Sequence, residues 1–390
     1  MTASHAASVT VSDLTARLPS MLNDLEALVT CESPSGDHRA IAHSADVVSA
    51  IARRLTGEVP ERVVLNGCTH LALRFGPCPR ILLLGHHDTV WPLGSLATHP
   101  WSATGGIARG PGCFDMKAGI VQLLHAIAAL ADPSGISVLI TGDEEVGSTT
   151  SRALIEDEAR TCQVVLVLEP SADGGALKIG RKGAATYQVQ VRGRAAHAGL
   201  EPEHGANAAI ELARQVFTII DLAAPSLGTT VTPTLLSGGT TANTVPDSAQ
   251  LSVDVRALLA QEQLRVDRAL AQLRPHLAGT ALLLDRQSHR PPMEPAASAR
   301  LFDRAQTLAG ELGLPPLSGV TVGGASDGNL TAAVGTETLD GLGAVGGGAH
   351  ADDEYVVISE IPQRTALLAR LIEDLRRDRP SAEYKEQNNS

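Results

Sequence analysis

Aromatic side chains are scarce in this sequence. Among 390 residues there are four Phe, two Trp and three Tyr, too few for the stacked-base surfaces of an OB-fold or RRM-type reader. Positive charge is in deficit too: 31 Lys and Arg stand against 43 Asp and Glu, a formal net charge of -12. That balance argues against nucleic acid or an anionic membrane as a partner. There is no Cys-x-x-Cys pair. The five cysteines, Cys31, Cys68, Cys78, Cys113 and Cys162, are odd in number, which predicts neither a disulfide framework nor a structural zinc knuckle and points to a reducing cytoplasm. No run approaches the ~18 uninterrupted apolar residues of a membrane span. The start, Met1 to Val11, has no basic region followed by an apolar one, so neither export nor anchoring is expected. What remains is an ordinary globular composition, 43% apolar and 19% charged, with 37 Gly and 22 Pro. So many turn formers imply tight connections and weigh against an all-helical bundle, and the length suits about two domains.

Short apolar, β-branched runs alternate with helical patterns over the first half of the chain. Residues 80–85, 137–141 and 164–168 read as strands, with helices predicted over 14–29, 38–55, 116–130 and 149–158. Continuous apolar strands between helices describe a sheet buried on both faces, an α/β domain. From about Gly183 the texture changes. Residues 186–191 and 250–255 alternate polar with apolar, as strands with one solvated face do, and helices are predicted at 207–222 and 261–276. Pro291-Pro292 ends this α+β segment, and helices are predicted again at 297–312 and 362–377. The resulting fold class is α/β, a mixed and largely parallel sheet flanked by helices, interrupted by a smaller α+β domain. The expected boundaries are 1–182 and 293–378 for the first domain, 183–292 for the insertion and 379–390 for a polar tail.

Acids and histidines gather where the buried strands end. In Gly85-His86-His87-Asp88-Thr89, His86 and Asp88 lie two apart and point the same way, so one can ligate a metal while the other holds its ring. The rival is a surface His beside a turn Asp. His87 points the other way and reads as structural. Asp115 opens a helix after Gly110-Pro111-Gly112, a position that also suits a carboxylate favoured by the helix dipole. Asp143-Glu144-Glu145 follows the strand at 137–141. Three successive acids repel one another, and a cation would explain their gathering; a solvated acidic loop is the alternative. Glu169 ends the strand at 164–168, and His350 sits in the loop Gly346-Gly347-Gly348-Ala349-His350, too glycine-rich to be core. Two imidazoles and three carboxylates, His86, Asp115, Glu145, Glu169 and His350, would suit two divalent ions about 3.5–4 Å apart with a bridging carboxylate and room for water.

Taken in order along about residues 12–377, these segments resemble the zinc-dependent co-catalytic exopeptidase and deacylase family, which includes glutamate carboxypeptidase, succinyl-diaminopimelate desuccinylase, acetylornithine deacetylase, aminoacylase and carnosinase. The texture from Leu83 to Pro170 is most similar to the bacterial glutamate carboxypeptidase branch. The resemblance implies that Asp115 bridges two metals, one also held by His86 and Glu169, the other by Glu145 and His350. Asp88 would orient His86, and Glu144 would take a proton from the bridging water. Spacing alone leaves Glu144 and Glu145 interchangeable as base and ligand; the family pattern separates them. Where close relatives have a second Asp after the bridging one, joined by a cis peptide, this chain has Met116.

The inserted segment carries His197, Asn243 and Arg256 in motifs that match the family's smaller lid and dimerisation domain. By resemblance, His197 stabilises the oxyanion in the partner's active site of a homodimer, while Asn243 and Arg256 grip the substrate carboxylate. A guanidinium suits that task through its bidentate fork; an exposed edge-strand charge is the rival reading of Arg256. Gly323-Gly324-Ala325-Ser326-Asp327-Gly328-Asn329 resembles the family's glycine-rich substrate loop, which makes Gly324 a candidate substrate-binding residue. Lys178, Arg181, Lys182 and Arg290 are candidate partners for an acidic substrate side chain, or solvated charges. The expected cofactors are two divalent ions, zinc first, with cobalt or manganese accepted by the same ligands. The expected reaction is hydrolysis of a C–N amide bond next to a carboxylate in a small peptide, with an N-acyl amino acid as the alternative substrate. A binding protein without turnover, or amide synthesis at the same site, completes the range.

Overall fold

The computed structural model describes residues 8–378; the tail expected over 379–390 lies outside them. Contacts divide the chain into two units, one running up to Ile179 with Pro295–Thr321 and Ser326 onward, the other Gly180–Glu294 with Val322–Ala325. Residues 322–325, assigned from sequence to the first domain, therefore group with the second.

The first unit is built on a six-stranded sheet in the order Glu61–Leu65, Cys68–Phe75, Ile136–Thr141, Ile81–His86, Val164–Val167, Glu337–Leu339. The last four strands run parallel to one another, and Cys68–Phe75 pairs antiparallel with both of its neighbours. Alternation along Ile81-Leu82-Leu83-Leu84 sends Ile81 and Leu83 into one core and Leu82 and Leu84 into another, so both faces are covered and the strand reads as unbroken apolar sequence. The helix Ala118–Ala129 is buried almost throughout, and on the opposite face Arg152–Thr161 contributes Ile155 and Ala159. His86 pairs with Thr141, and Leu84 with Val167. The residues that follow these strands therefore leave the sheet at one edge, its carboxyl end, where α/β proteins place their sites.

A single helix over 14–29 is not what forms. Val11–Ala16 and Leu18–Thr30 are separate helices, the second with Pro near its start: Pro19 has no N–H to continue the first helix. A further small sheet joins Gly346–Gly347, Tyr355–Val357, Ile107–Arg109 and Ser102–Thr104, and the loop that carries His350 spans its first two strands.

The second unit is a four-stranded antiparallel sheet in the order Thr230–Gly238, Ser248–Ala257, Gly183–Arg192, Ala281–Arg290. One face buries Ala185, Tyr187, Val189, Val191, Leu251, Val253 and Val255 with residues of the helices Ala208–Ile220 and Ala260–Ala271. Pro233 and a register shift interrupt the edge strand Thr230–Gly238, as is usual where a strand has a free side. Among the described residues no helix is long and apolar enough to cross a membrane, and the five cysteines are free thiols.

Candidate metal centre

The first unit brings His86, Asp115, Glu144, Glu145, Glu169 and His350 together. His86 ends its strand and is buried. Its Nε2 lies 3.4 Å from Asp115 Oδ1 and 3.4 Å from Glu169 Oε1. His350 Nε2 lies 3.1 Å from Glu145 Oε2 and 3.5 Å from Asp115 Oδ2. Asp115 thus turns one oxygen toward each imidazole. It sits in a turn closed by Gly112, at φ +69°, where a Cβ would fall 2.4 Å from Thr89 Cγ2, so only glycine fits. The Asp115–Met116 peptide is cis. His350 itself has φ +63°, a left-handed conformation that a non-glycine residue adopts at some cost.

Three atoms of this cluster, His86 Nε2, Asp115 Oδ1 and Glu145 Oε1, are buried without a hydrogen-bond partner among the described residues. Orphaned buried donors and acceptors are rare and costly. Donor atoms of His86, Asp115 and Glu145, and separately of His86, Glu144 and Glu169, lie close enough to share one ion. Imidazole nitrogen and carboxylate oxygen are ligands that zinc and its neighbours accept, so the residues present fit divalent metal. Without it, the carboxylates bias the imidazoles toward the charged form. Burial alone would lower the pKa of His86, but Asp115, Asp88 and Glu169 raise it well above its ordinary value. His350 is pushed up to about 10 by Asp115 and Glu145. Burial works against the charge of Asp115 as well, yet His350 and His86 hold its carboxyl well below the usual range; at Glu145 burial prevails and the pKa rises.

Asp88 is buried beneath the cluster. Its Oδ1 lies 3.4 Å from His86 Nδ1, and the closer partner of that nitrogen is the Asp88 backbone carbonyl at 3.0 Å. The carboxylate also accepts the N–H groups of Glu144 and Glu145, each at 3.2 Å, and the Ser35 hydroxyl at 2.6 Å. Asp143 does not join its two neighbours. It is buried and accepts from Thr150 N, Thr150 Oγ1, Ser151 N and Ser151 Oγ, so it anchors the turn from behind. His87 likewise faces the interior, against Ser44 and Thr69, and burial lowers its pKa to about 4. Lys178 Nζ stands 3.8 Å from Glu169 Oε2.

The remaining sequence-derived residues belong to the second unit. His197 is exposed, and its Nδ1 accepts the backbone N–H groups of Gly199 and Leu200, both at 3.1 Å. A ring nitrogen that accepts carries no proton, so the neutral ring has its N–H at Nε2. Ala198 N donates to Asn243 O at 2.9 Å and Val245 N to Ala196 O at 2.9 Å, which sets Asn243 beside the His197 segment. Arg256 forks onto Asp254, two residues back on the same strand face, at 3.0–3.2 Å, leaving Nη1 outside that pair. Gly324 is exposed, with its carbonyl accepting from Arg181 at 3.1 Å. The other half of that glycine-rich segment is not a loop. Ser326 caps the helix Asp327–Ala333, and Asp327 is buried, accepting from Thr141 and Ser148. Sequence reasoning also missed Ser35 and Glu354. An acid four residues beyond a candidate ligand was the only signal for Glu354, whose carboxylate receives the N–H of Asp115 at 3.0 Å.

An α/β sheet that assembles two imidazoles and several carboxylates at its carboxyl edge defines a class of metal-dependent hydrolytic scaffolds. A family profile described as Peptidase family M20/M25/M40 matches residues 82–374, and the chain belongs to that family of metallopeptidases and is a hydrolase. It is 32% identical over 374 residues to carboxypeptidase G2 of Pseudomonas sp. (strain RS-16), covering 92% of this chain and 89% of that one. It is 29% identical over 400 residues to succinyl-diaminopimelate desuccinylase of Methylorubrum populi, covering 89% of this chain and 96% of the relative. Among solved structures, aminopeptidase PepT from Bacillus cereus superposes with a TM-score of 0.74 at 22% identity, over 92% of this chain and 99% of that one. The M20 family metallo-carboxypeptidase Sso-CP2 from Sulfolobus solfataricus gives 0.69 at 16% identity, over 92% and 99%. These two likenesses speak for the fold.

Proposed function

We propose that this protein hydrolyses a C–N amide bond adjoining a carboxylate, releasing a C-terminal amino acid such as glutamate, with two divalent ions, zinc foremost, at the cluster. The observation that carries the reading is the convergence of three orphaned buried atoms, on His86, Asp115 and Glu145, at one sheet edge. Asp115 would be shared between the ions, His86 and Glu169 completing one set and Glu145 and His350 the other. When bound, such ions polarise the scissile carbonyl and make water more acidic.

The chain's own groups supply the rest. Glu144, whose backbone Asp88 fixes, takes a proton from the attacking water as a C–O bond forms, and passes it to the departing nitrogen as the C–N bond breaks. The Nε2–H of His197 is a donor for the oxyanion. Arg256 and Asn243 hold the substrate carboxylate, for which Arg256 must share or leave Asp254. We further propose a homodimer in which His197 serves the partner's site. In the second unit, Phe217, Leu235 and Leu236 are exposed at 68%, 72% and 63%, and pairing about a two-fold axis would cover such residues. The desuccinylase relatives favour a second reading, deacylation of N-acyl amino acids.

A hydrolysis screen of C-terminal amino-acid and N-acyl amino-acid libraries with the zinc-loaded protein decides between them. Peptide-like substrates cleaved at the C-terminal residue support the first reading; turnover confined to N-acyl amino acids supports the second.

A further inference from the structure

We propose that Glu354 is a positioning residue that sets the spacing of Asp115 and His350 by tying three loops to one buried carboxylate. The inference rests on the metal-centre reading above. Glu354 is 3% exposed. Its Oε1 accepts Phe114 N at 2.8 Å and Asp115 N at 3.0 Å, and its Oε2 accepts Gly112 N at 3.0 Å and the indole N–H of Trp91 at 2.7 Å.

A buried carboxylate is costly unless its oxygens are satisfied, and here four N–H groups satisfy them, three from the one short backbone segment Gly112–Asp115. Converging amides of this kind form an anion-binding nest. The anion in this nest belongs to the protein itself. No neutral side chain of the same size meets the demand: four donors need four acceptor sites, and an amide would turn its own NH2 against two of them.

What these bonds join makes the residue more than packing. The segment Gly112–Asp115 presents Asp115. Trp91 lies three residues beyond Asp88. Glu354 lies four residues beyond His350, in the loop between Gly346–Gly347 and Tyr355–Val357, and Tyr355 pairs with Arg109 across the small sheet. Asp115 and His350, 3.5 Å apart at Oδ2 and Nε2, are thus connected by a short path through one side chain. Groups that orient metal ligands from behind typically change metal affinity or activity by 10–100-fold when altered.

The test is calorimetric titration of zinc into chelator-dialysed protein, wild type and Glu354→Gln, with steady-state kinetics on the reloaded forms. We expect the variant to bind at least one equivalent about 10–100-fold more weakly, with kcat reduced and KM little changed. Trp91→Phe, which removes one donor of the four, should show a smaller loss of the same sign. Wild-type zinc affinity in a folded Glu354→Gln protein overturns the proposal. If Glu354→Gln does not fold, Trp91→Phe decides: weaker zinc binding supports the proposal and unchanged binding overturns it. Wild-type protein that takes up no zinc overturns the metal-centre reading itself, and the proposal with it.

Discussion

The N–H of Glu144 donates to Asp88 Oδ1 at 3.2 Å, so the carboxylate that stands behind His86 also fixes the turn that presents the candidate base. One buried group therefore contacts both the candidate ligand and the segment of the candidate base. Asp88→Ala should cut kcat by about 10–100-fold and weaken zinc retention together. Kinetics and elemental analysis check this, and loss of only one of the two would separate the roles.

Glu144 and Glu145 are adjacent but face different demands. Glu145 Oε1 is an orphaned buried atom and its Oε2 meets His350. Glu144→Gln should retain metal while kcat falls by at least the ~10²–10⁴ of general-base assistance. Glu145→Gln should lose metal. The opposite pattern in elemental analysis would exchange the two assignments.

Proton release should accompany metal uptake. The pKa of His350 is raised from 6.5 to about 10 and that of His86 is raised as well. In the metal-free protein the stabilisation of these charged imidazoles is fully present below their unfolded value. It fades as pH rises through their folded values, near 10 for His350. Zinc runs the other way, because ligands must be deprotonated, so its affinity should climb with pH across that window. Calorimetry near neutral pH in two buffers of different ionisation enthalpy should show about one to two protons released per chain. A buffer-independent enthalpy contradicts this.

If His197 serves the partner's site, two inactive variants should rescue each other. His197→Ala should lower kcat by ~10²–10³ with metal content unchanged. Mixed with Glu144→Gln after dissociation and reassociation, half the dimers would be hybrids with one complete site each, returning about a quarter of wild-type activity. Mixtures that exchange subunits without recovery place His197 elsewhere.

The sheet and its edge were legible because parallel strands covered on both faces must be continuous apolar runs, and the first polar residues beyond them, His86, Asp143 and Glu169, mark one edge. Periodicity hid other features. Apolar spacing runs through Leu14, Met21, Leu25 and Leu28 without registering that Pro19 lacks an N–H. The hairpin Glu61–Leu65 with Cys68–Phe75 has no long apolar run in its first strand. Its signal was the turn Asn66-Gly67, where both residues have positive φ, 48° and 86°, as a two-residue hairpin requires. Strand alternation puts Arg256 and Asp254 on one face, but spacing alone does not show that the guanidinium forks onto that carboxylate. Glu354 looked like one acid in the run Asp352-Asp353-Glu354; only the folded chain shows Trp91 and the Asp115 turn closing over it.

The most direct measurement is hydrolysis by chelator-dialysed protein titrated with zinc, using the best substrate from the library screen. Turnover should be negligible without metal and should rise to a level reached near two equivalents per chain. Full turnover in the metal-free protein would contradict the metal-centre reading.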